Sequence, residues 1–441
     1  MNKTIRFAGL LMALLLMVGA FAGCMMTPAP TATPKLAATA TPAAATATPE
    51  PTPVPTPAPV TITYWHNYGA DKETPYFADT IMKIFKEKYP WITVDVVAQG
   101  SDGYSQLITT ALGTGSTPDV ARFDLTDVAS FAKQGALVAL DDLNGFVDLK
   151  GNLLAGPLSS NLFQGKYYGL PLDTNCKAAV INMTNLAALG LTEVPATMEE
   201  MITAAKAKSP GKPVFSVSSA GEWDILPWFW LFGGTLSDDG FTKTTGYLDG
   251  AASVKAATDL KQLYDDKVLA IKELDGSADA WDGIKAKDYA MFLEGPWFFA
   301  FNSNYKELTI KPSIIPTCNG ETASIVGGES VVMFSSTKNK DASFEFMKFL
   351  LSEDVQVLMG VNMGQMPVLK SAAQNADLTS NEVWSVYLKQ LETAKTRIPT
   401  AQKSAVGDHL KACFNAIFKG EGTPQEILSK YAVLIDAELV K

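Results

Sequence analysis

Residues 60–66 read VTITYWH, an alternating run rich in β-branched and aromatic side chains, which predicts a first strand. The next run, TPYFADTIMKIFKEKYP (74–90), places Phe77, Ile81, Ile84 and Phe85 at helical spacing and stops at Pro90. WITVDVVAQG (91–100) then reads as a second strand, YSQLITTALGTG (104–115) as a helix ending in glycine, PDVARFD (118–124) as a third strand and VASFAKQGAL (128–137) as a third helix. The order βαβαβα predicts a sheet with parallel pairings covered by helices, an α/β fold.

Outward from this unit the elements mix. KYYGLPLDTNCKAAVINM (166–183) predicts two short strands around Pro171, and TMEEMITAAKAK (197–208) a helix capped by Thr197 with Glu200 three residues on. WDILPWFWLFGGTL (223–236) is intensely aromatic, and ASVKAATDLKQLYDDK (252–267) is an amphipathic helix. YAMFLEGPWFFAF (289–301) reads as a buried strand broken at Gly295-Pro296. Residues 330–359 read as strand, turn and two helices, and the last 60 or so residues as mostly helical, with no internal repeat.

The front of the chain differs in kind. Lys3 and Arg6 precede an uncharged run from Phe7 to Val18, the pattern of a secretory signal. That core is shorter than the roughly 20 apolar residues a membrane-spanning helix needs. Small residues lead into Cys24, and Ala22-Gly23-Cys24 resembles the lipobox of bacterial lipoproteins, although Phe21 stands where leucine is usual. The resemblance implies a signal peptide over 1–23 and a lipidated Cys24. Met25 to Pro59 holds ten prolines among Thr and Ala and too little apolar surface to fold, so 24–59 reads as an extended tether.

Composition bounds the function. Removing 1–23 leaves 34 basic against 46 acidic side chains, with Arg122 and Arg397 as the remaining arginines. That balance argues against nucleic acid and against a polyanion receptor, which would use arginine forks. Cys176, Cys318 and Cys413 are an odd set without C-x-x-C spacing and read as small buried residues. With histidines only at 66 and 409, a metal site is not expected, nor any cofactor. His66 is expected to hydrogen-bond structurally. No nucleophile elbow, P-loop or dinucleotide fingerprint is present, so the chain is expected not to be an enzyme. A hydrolase with a carboxylate pair is the alternative that counting leaves open.

All eight tryptophans fall after residue 60. Trp228, Trp230 and Trp281 suit a core. Trp65, Trp223 and Trp297 sit at strand ends or helix starts, where open α/β sheets hold ligands. An indole face can cover the C–H face of a sugar ring while planar amides and carboxylates bond its hydroxyls.

Several stretches together resemble the extracellular solute-binding proteins of the maltodextrin-binding class: ITYWHNYG (62–69), FKEKYPWITVDVV (85–97), GSTPDVARFDLTDVASFAKQGAL (115–137), YYGLPLDTNCKAAVINM (167–183), EWDILPWFWLFGGTL (222–236), AMFLEGPWFF (290–299) and VGGESVVMFSSTKNKDASFEFMKFLLS (326–352). The tail GEGTPQEILSKYAVLIDAEL (420–439) is similar too. The resemblance implies a two-lobed periplasmic-binding-protein-like fold of type II over 60–441, with mixed sheets, flanking helices and a hinge. Lobe 1 is expected over about 60–172 and 318–370, lobe 2 over about 173–317 and 371–441. It further implies a monomer, lipid-anchored outside the bacterial cytoplasmic membrane, that hands a carbohydrate to the permease subunits of an ABC importer. By position it implies ligand contacts at Trp65, Asn67, Tyr68, Phe123, Asp124, Asn175, Trp223, Trp297 and Glu329. Tyr104 and Asp408 are secondary candidates, and Asp124 has a second reading as a helix cap. SAVGD (404–408) lacks the aromatic of the maltodextrin binders, which weakens the long-oligosaccharide reading and puts a shorter sugar on an equal footing with it. Rival readings are a polyamine or other small solute on the same scaffold, and a surface carbohydrate-binding module without a transporter.

Overall fold

The computed structural model describes residues 58–100 and 103–441. The signal-peptide and Cys24 readings, and nearly all of the tether, lie outside the described residues. Thirteen strands are present among them: β1 (Val60–His66), β2 (Ile92–Ala98), β3 (Val120–Asp124), β4 (Leu162–Phe163), β5 (Lys166–Tyr167), β6 (Leu170–Cys176), β7 (Ala178–Asn182), β8 (Phe215–Val217), β9 (Leu269–Ile271), β10 (Met291–Glu294), β11 (Ile310–Ser313), β12 (Ser324–Met333) and β13 (Ala394–Lys395). β1 pairs in parallel with both β2 and β3, as the βαβαβα order requires. β12 closes that sheet antiparallel to β3, giving the order β13-β12-β3-β1-β2, with β6 also on β12. The second sheet runs β11-β7-β10-β8-β9.

The chain passes from the first sheet to the second with one residue between strands, Lys177, because β6 keeps its pairing with β12 as far as Cys176. The crossing thus falls at 177 and not at the 172–173 boundary read from the sequence. Pro171 does not separate two strands either. It lies inside β6 opposite Ser330, where the β12 register shifts, the kind of irregularity that tolerates a residue without an N–H. The helix expected over 74–90 spans Glu73–Lys88 with a π-helical turn at Phe77–Ile81. The aromatic run is a helix, Glu222–Leu231, with Pro227 inside it. The break at Gly295-Pro296 is real: β10 ends at Glu294 and a short helix, Trp297–Phe301, begins directly after it.

Each sheet has its own core. Ile62, Tyr64, Phe77, Phe85 and Phe346 pack around the first. Phe215, Trp228, Phe229 and Trp230 pack around the second, together with Phe414 of the helix Lys403–Lys419 and Leu428 of the helix Pro424–Leu439. The last helix carries a full capping box between Thr423 and Glu426. Trp228 and Trp230 are buried as expected, whereas Trp281 is half-buried and donates from Nε1 to Glu294 at 2.7 Å. Cys176, Cys318 and Cys413 are buried, also as expected, and all three are unpaired. No helix among the described residues is long and apolar enough to cross a membrane.

Candidate functional site

Strands β1, β3, β6 and β12 of the first sheet bring polar side chains to one cleft of about 840 Å³. Its centre is Arg122, the one cation of β3 and 3% exposed. A buried guanidinium needs acceptors on every side, and four residues from distant parts of the chain supply them. Nε and Nη2 donate to Oδ2 of Asp173 at 3.2 and 3.0 Å, Nη2 to Oε1 of Gln365 at 3.1 Å, and Nη1 to Oδ1 of Asn67 at 2.6 Å. Glu329 lies 3.1 Å from Nη2. The ring of Tyr68 covers one guanidinium face with its centroid 4.5 Å from Cζ. Burial alone would lower the guanidinium pKa, but the Asp173 and Glu329 carboxylates outweigh it and hold the group above its ordinary value.

Two glycines make this packing possible. Gly328 has φ +120°, and a Cβ there would meet the backbone oxygen of Asp173 at 2.4 Å. A Cβ on Gly327 would meet Oδ1 of Asn175 at 2.2 Å and Trp223 at 3.0 Å. Bare backbone at 327–328 therefore lets β12 approach β6 while Asp173, Asn175 and Glu329 share one floor. Behind it, His66 is 1% exposed and its Nδ1 accepts the N–H of Tyr68 at 3.2 Å, the structural role expected for it. Burial, and then the neighbouring Arg122 charge, push its pKa down to about 4, so the ring is neutral near pH 7.

The opposite wall is aromatic. Trp297, Phe301 and Tyr305 come from the short helix after β10 and the turn beyond it, and Trp384 from the helix Glu382–Leu391. Gly295 lets Trp297 fold back over its own strand end, since a Cβ at 295 would lie 2.2 Å from that indole. Trp297 stacks on Trp223 with ring centroids 5.9 Å apart and planes 25° apart. Trp223 in turn faces Arg397, whose Cζ is 5.8 Å from the indole centroid. Arg397 lines a second, smaller cavity of about 340 Å³ with Glu222, Thr126, Lys403, Ser404 and Asp408. There Lys403 forms an ion pair with Asp127 and donates to Oγ1 of Thr126 at 3.2 Å, linking the helix Lys403–Lys419 to the turn after β3. Burial raises the Glu222 carboxyl pKa against the pull of Arg397 and Lys403.

Of the residues singled out from the sequence, Asn67, Asn175, Trp297 and Glu329 line the larger cleft, and Trp223 backs Trp297. Asp408 lines the smaller cavity. The others are elsewhere. Tyr68 is buried under Arg122, and Phe123 is 1% exposed and edge-on to Phe131. Tyr104 is buried in the same cluster as Phe123, against which Trp65 packs half-buried. Asp124 is exposed and accepts the N–H of Thr126 at 2.8 Å, the capping role that was its second reading. Sequence reasoning passed over Arg122, Asp173, Gln365, Phe301 and Trp384. Arg122 carried a signal all the same, a lone cation in an otherwise apolar strand, as did Asp173 in LPLDTNC. No group of three or more His, Cys, Asp or Glu placed to hold a metal occurs among the described residues.

A cleft with one aromatic and one polar wall can hold an amphipathic solute, stacking its apolar face and bonding its polar edge. Relatives share the architecture. A Brucella abortus protein, named no further than a binding protein, is 25% identical over 386 residues, covering 84% of this chain and 91% of that one. The diacetylchitobiose binding protein DasA of Streptomyces coelicolor is 25% identical over 376 residues, or 80% of this chain and 83% of its own. Among solved structures, the cyclic alpha-maltosyl-1,6-maltose binding protein of Arthrobacter globiformis superposes with a TM-score of 0.76 at 20% identity, over 87% of this chain and 99% of that one, so the fold is that of the two-lobed binding proteins. The family profile described as bacterial extracellular solute-binding protein matches residues 80–383, and the chain belongs to that family.

Proposed function

We propose that this protein captures a carbohydrate between its lobes and delivers it to the permease of an ABC importer. The observation that carries the reading is the pairing of walls in the larger cleft: indole and phenyl rings on one side, fixed carboxylates and amides on the other. A sugar ring has both faces to satisfy, C–H on one and hydroxyl on the edge. The relatives from Streptomyces and Arthrobacter, which are saccharide-binding proteins, support the same class.

In this reading Asn67, Asn175 and Glu329 accept from sugar hydroxyls, and Trp297, braced by Trp223, stacks on the ring. Lobe 1 comprises about 60–176 and 324–370 with the short strand β13, and lobe 2 about 178–313 and the rest of 371–441. The lobes turn about Lys177 and the 314–323 connection, and the guest stabilises the closed form to the extent that it touches both walls. The protein works as a monomer without chemistry on its ligand and without nucleic acid. Lipid on Cys24 holds it outside the cytoplasmic membrane, with the 24–59 tether as spacer.

The test is a thermal-shift screen of the purified chain against mono-, di- and oligosaccharides, with polyamines as the control class. A site-specific ligand at 100 times its dissociation constant stabilises by about 2.7 kcal/mol. Saccharide hits lost in Trp297→Ala support the reading. Hits among polyamines alone, or product formed on incubation with oligosaccharides, refute it.

A further inference from the structure

We infer that the preferred guest is a saccharide bearing a cationic amino group, seated against Glu329 on the polar floor. The inference rests on the carbohydrate reading above and adds a charge to the ligand.

It follows from counting donors and acceptors in the cleft. Arg122, the strongest donor, is already engaged by Asp173, Gln365 and Asn67, paired with Glu329 and covered by the Tyr68 ring. It has little left to offer an anionic guest. Two carboxylates, Asp173 and Glu329, share this one guanidinium, so one negative charge is in excess. The remaining charges nearby do not cancel it. Lys72 and Glu73 enter together at the cleft edge, and Glu73 is held by the N–H of Gly69 at 2.5 Å and Nε2 of Gln365 at 2.7 Å. His66 is neutral above about pH 4, and the phenols of Tyr64 and Tyr68 are held protonated by burial. On the aromatic wall Lys306 lies 5.7 Å from the Tyr305 ring centroid and is already paired with Glu382 at 3.3 Å.

The two carboxylates differ in reach. Asp173 is 6% exposed at its side chain and Glu329 27% exposed, so Glu329 is the one a guest can touch. A second acceptor, Oδ1 of Asn175, is buried in the same cleft with no hydrogen-bond partner. An ammonium has three donors and a full charge, which answers the excess charge at Glu329 directly. The rings opposite can also hold a cation over their faces. A neutral sugar would satisfy the acceptors and leave the charge unpaired in a closing, water-poor site, which is costly.

Burial pushes the Asp173 carboxyl well above its ordinary range, Arg122 pulls it back, and the Glu329 charge raises it further.

Isothermal titration near pH 6 tests this. The probes are glucose, glucosamine and N-acetylglucosamine, and their β-1,4 dimers cellobiose, fully deacetylated chitobiose and diacetylchitobiose, which within each set differ at C2. Galactose, galactosamine and N-acetylgalactosamine form a further set, and spermidine is a cation without a sugar. We expect the amine to bind about tenfold tighter than its hydroxyl and N-acetyl counterparts in any set that binds, the size of one charge-assisted hydrogen bond. Glu329→Gln should bring the amine within about twofold of the hydroxyl form. The comparison of amine with hydroxyl and N-acetyl forms on the unaltered protein decides the matter even should that variant fold poorly. Neutral or N-acetylated sugars binding as tightly as the amine overturn this inference and leave the carbohydrate reading standing. Spermidine binding with no saccharide hit, or no binding by any probe, overturns both.

Discussion

The two walls of the cleft are built on opposite plans. The polar wall is a network: Arg122, Asp173, Glu329, Gln365 and Asn67 hold one another in place, with Arg122 and Gln365 bonded across 243 residues of chain. The aromatic wall is a set of rings on two helices and a turn, joined by ring contacts without charges, and one of them, Phe301, is 78% exposed. A network of buried charges is part of the fold as well as of the site, because removing one member strands the others. Rings at a surface can be removed with little effect on folding. The polar wall should therefore answer to both stability and binding, the aromatic wall to binding alone.

The largest expected effect tests the first half of that contrast. Arg122→Leu leaves Asp173 and Glu329 facing each other without a counter-charge and should cost about 3–5 kcal/mol of unfolding free energy in denaturant titrations; a loss under about 1 kcal/mol would show the network to be a bystander of the fold. Next is a pH effect behind the same wall. The folded pKa of His66 is depressed to about 4 from 6.5, so the folded state binds fewer protons than the unfolded state between those values. Its contribution is fully present above pH 6.5 and is lost as pH falls towards 4, by up to about 3 kcal/mol. Asp173, raised, works in the opposite sense, so the His66 part is read as the difference from His66→Gln across the same pH range. Gly328→Ala puts a Cβ against the Asp173 carbonyl at a positive φ and should destabilise by about 2–3 kcal/mol.

The aromatic wall supplies the smaller effects. Trp297→Ala should weaken the best saccharide hit by about 30-fold, near 2 kcal/mol, by titration calorimetry. Phe301→Ala should change stability by less than about 0.5 kcal/mol and weaken a disaccharide by no more than about threefold. If Phe301→Ala melts several degrees lower, that wall is a network too and the contrast fails.

Much of the fold was legible because the code there is local. The alternation in 60–66 and the helical spacing at Phe77, Ile81, Ile84 and Phe85 involve neighbours in sequence, and β1, β2 and β3 pair as that order requires. The aromatic wall was half legible, since Trp223 and Trp297 follow breaks that glycine and proline announce. Phe301 and Trp384 carried no such mark. The polar wall was the least legible. Which of many acids would meet Arg122 is settled by the antiparallel register that sets Asp124 and Asp173 both across from Glu329. The same register explains why Phe123 turns inward: in a strand covered on both sides, proximity to the cleft along the chain does not decide which face a side chain takes.

The three sulfhydryls have a practical consequence. Burial pushes the Cys413 thiol up to about 12, the Cys318 thiol up to about 12 and that of Cys176 higher still. Almost no thiolate exists to attack an oxidant or another chain. A member of an extracellular family can thus keep three buried thiols in its folded domain without their joining chains into covalent dimers. The folded domain should leave these three thiols unmodified in air with or without a reductant, whereas in denaturant they regain ordinary thiol reactivity.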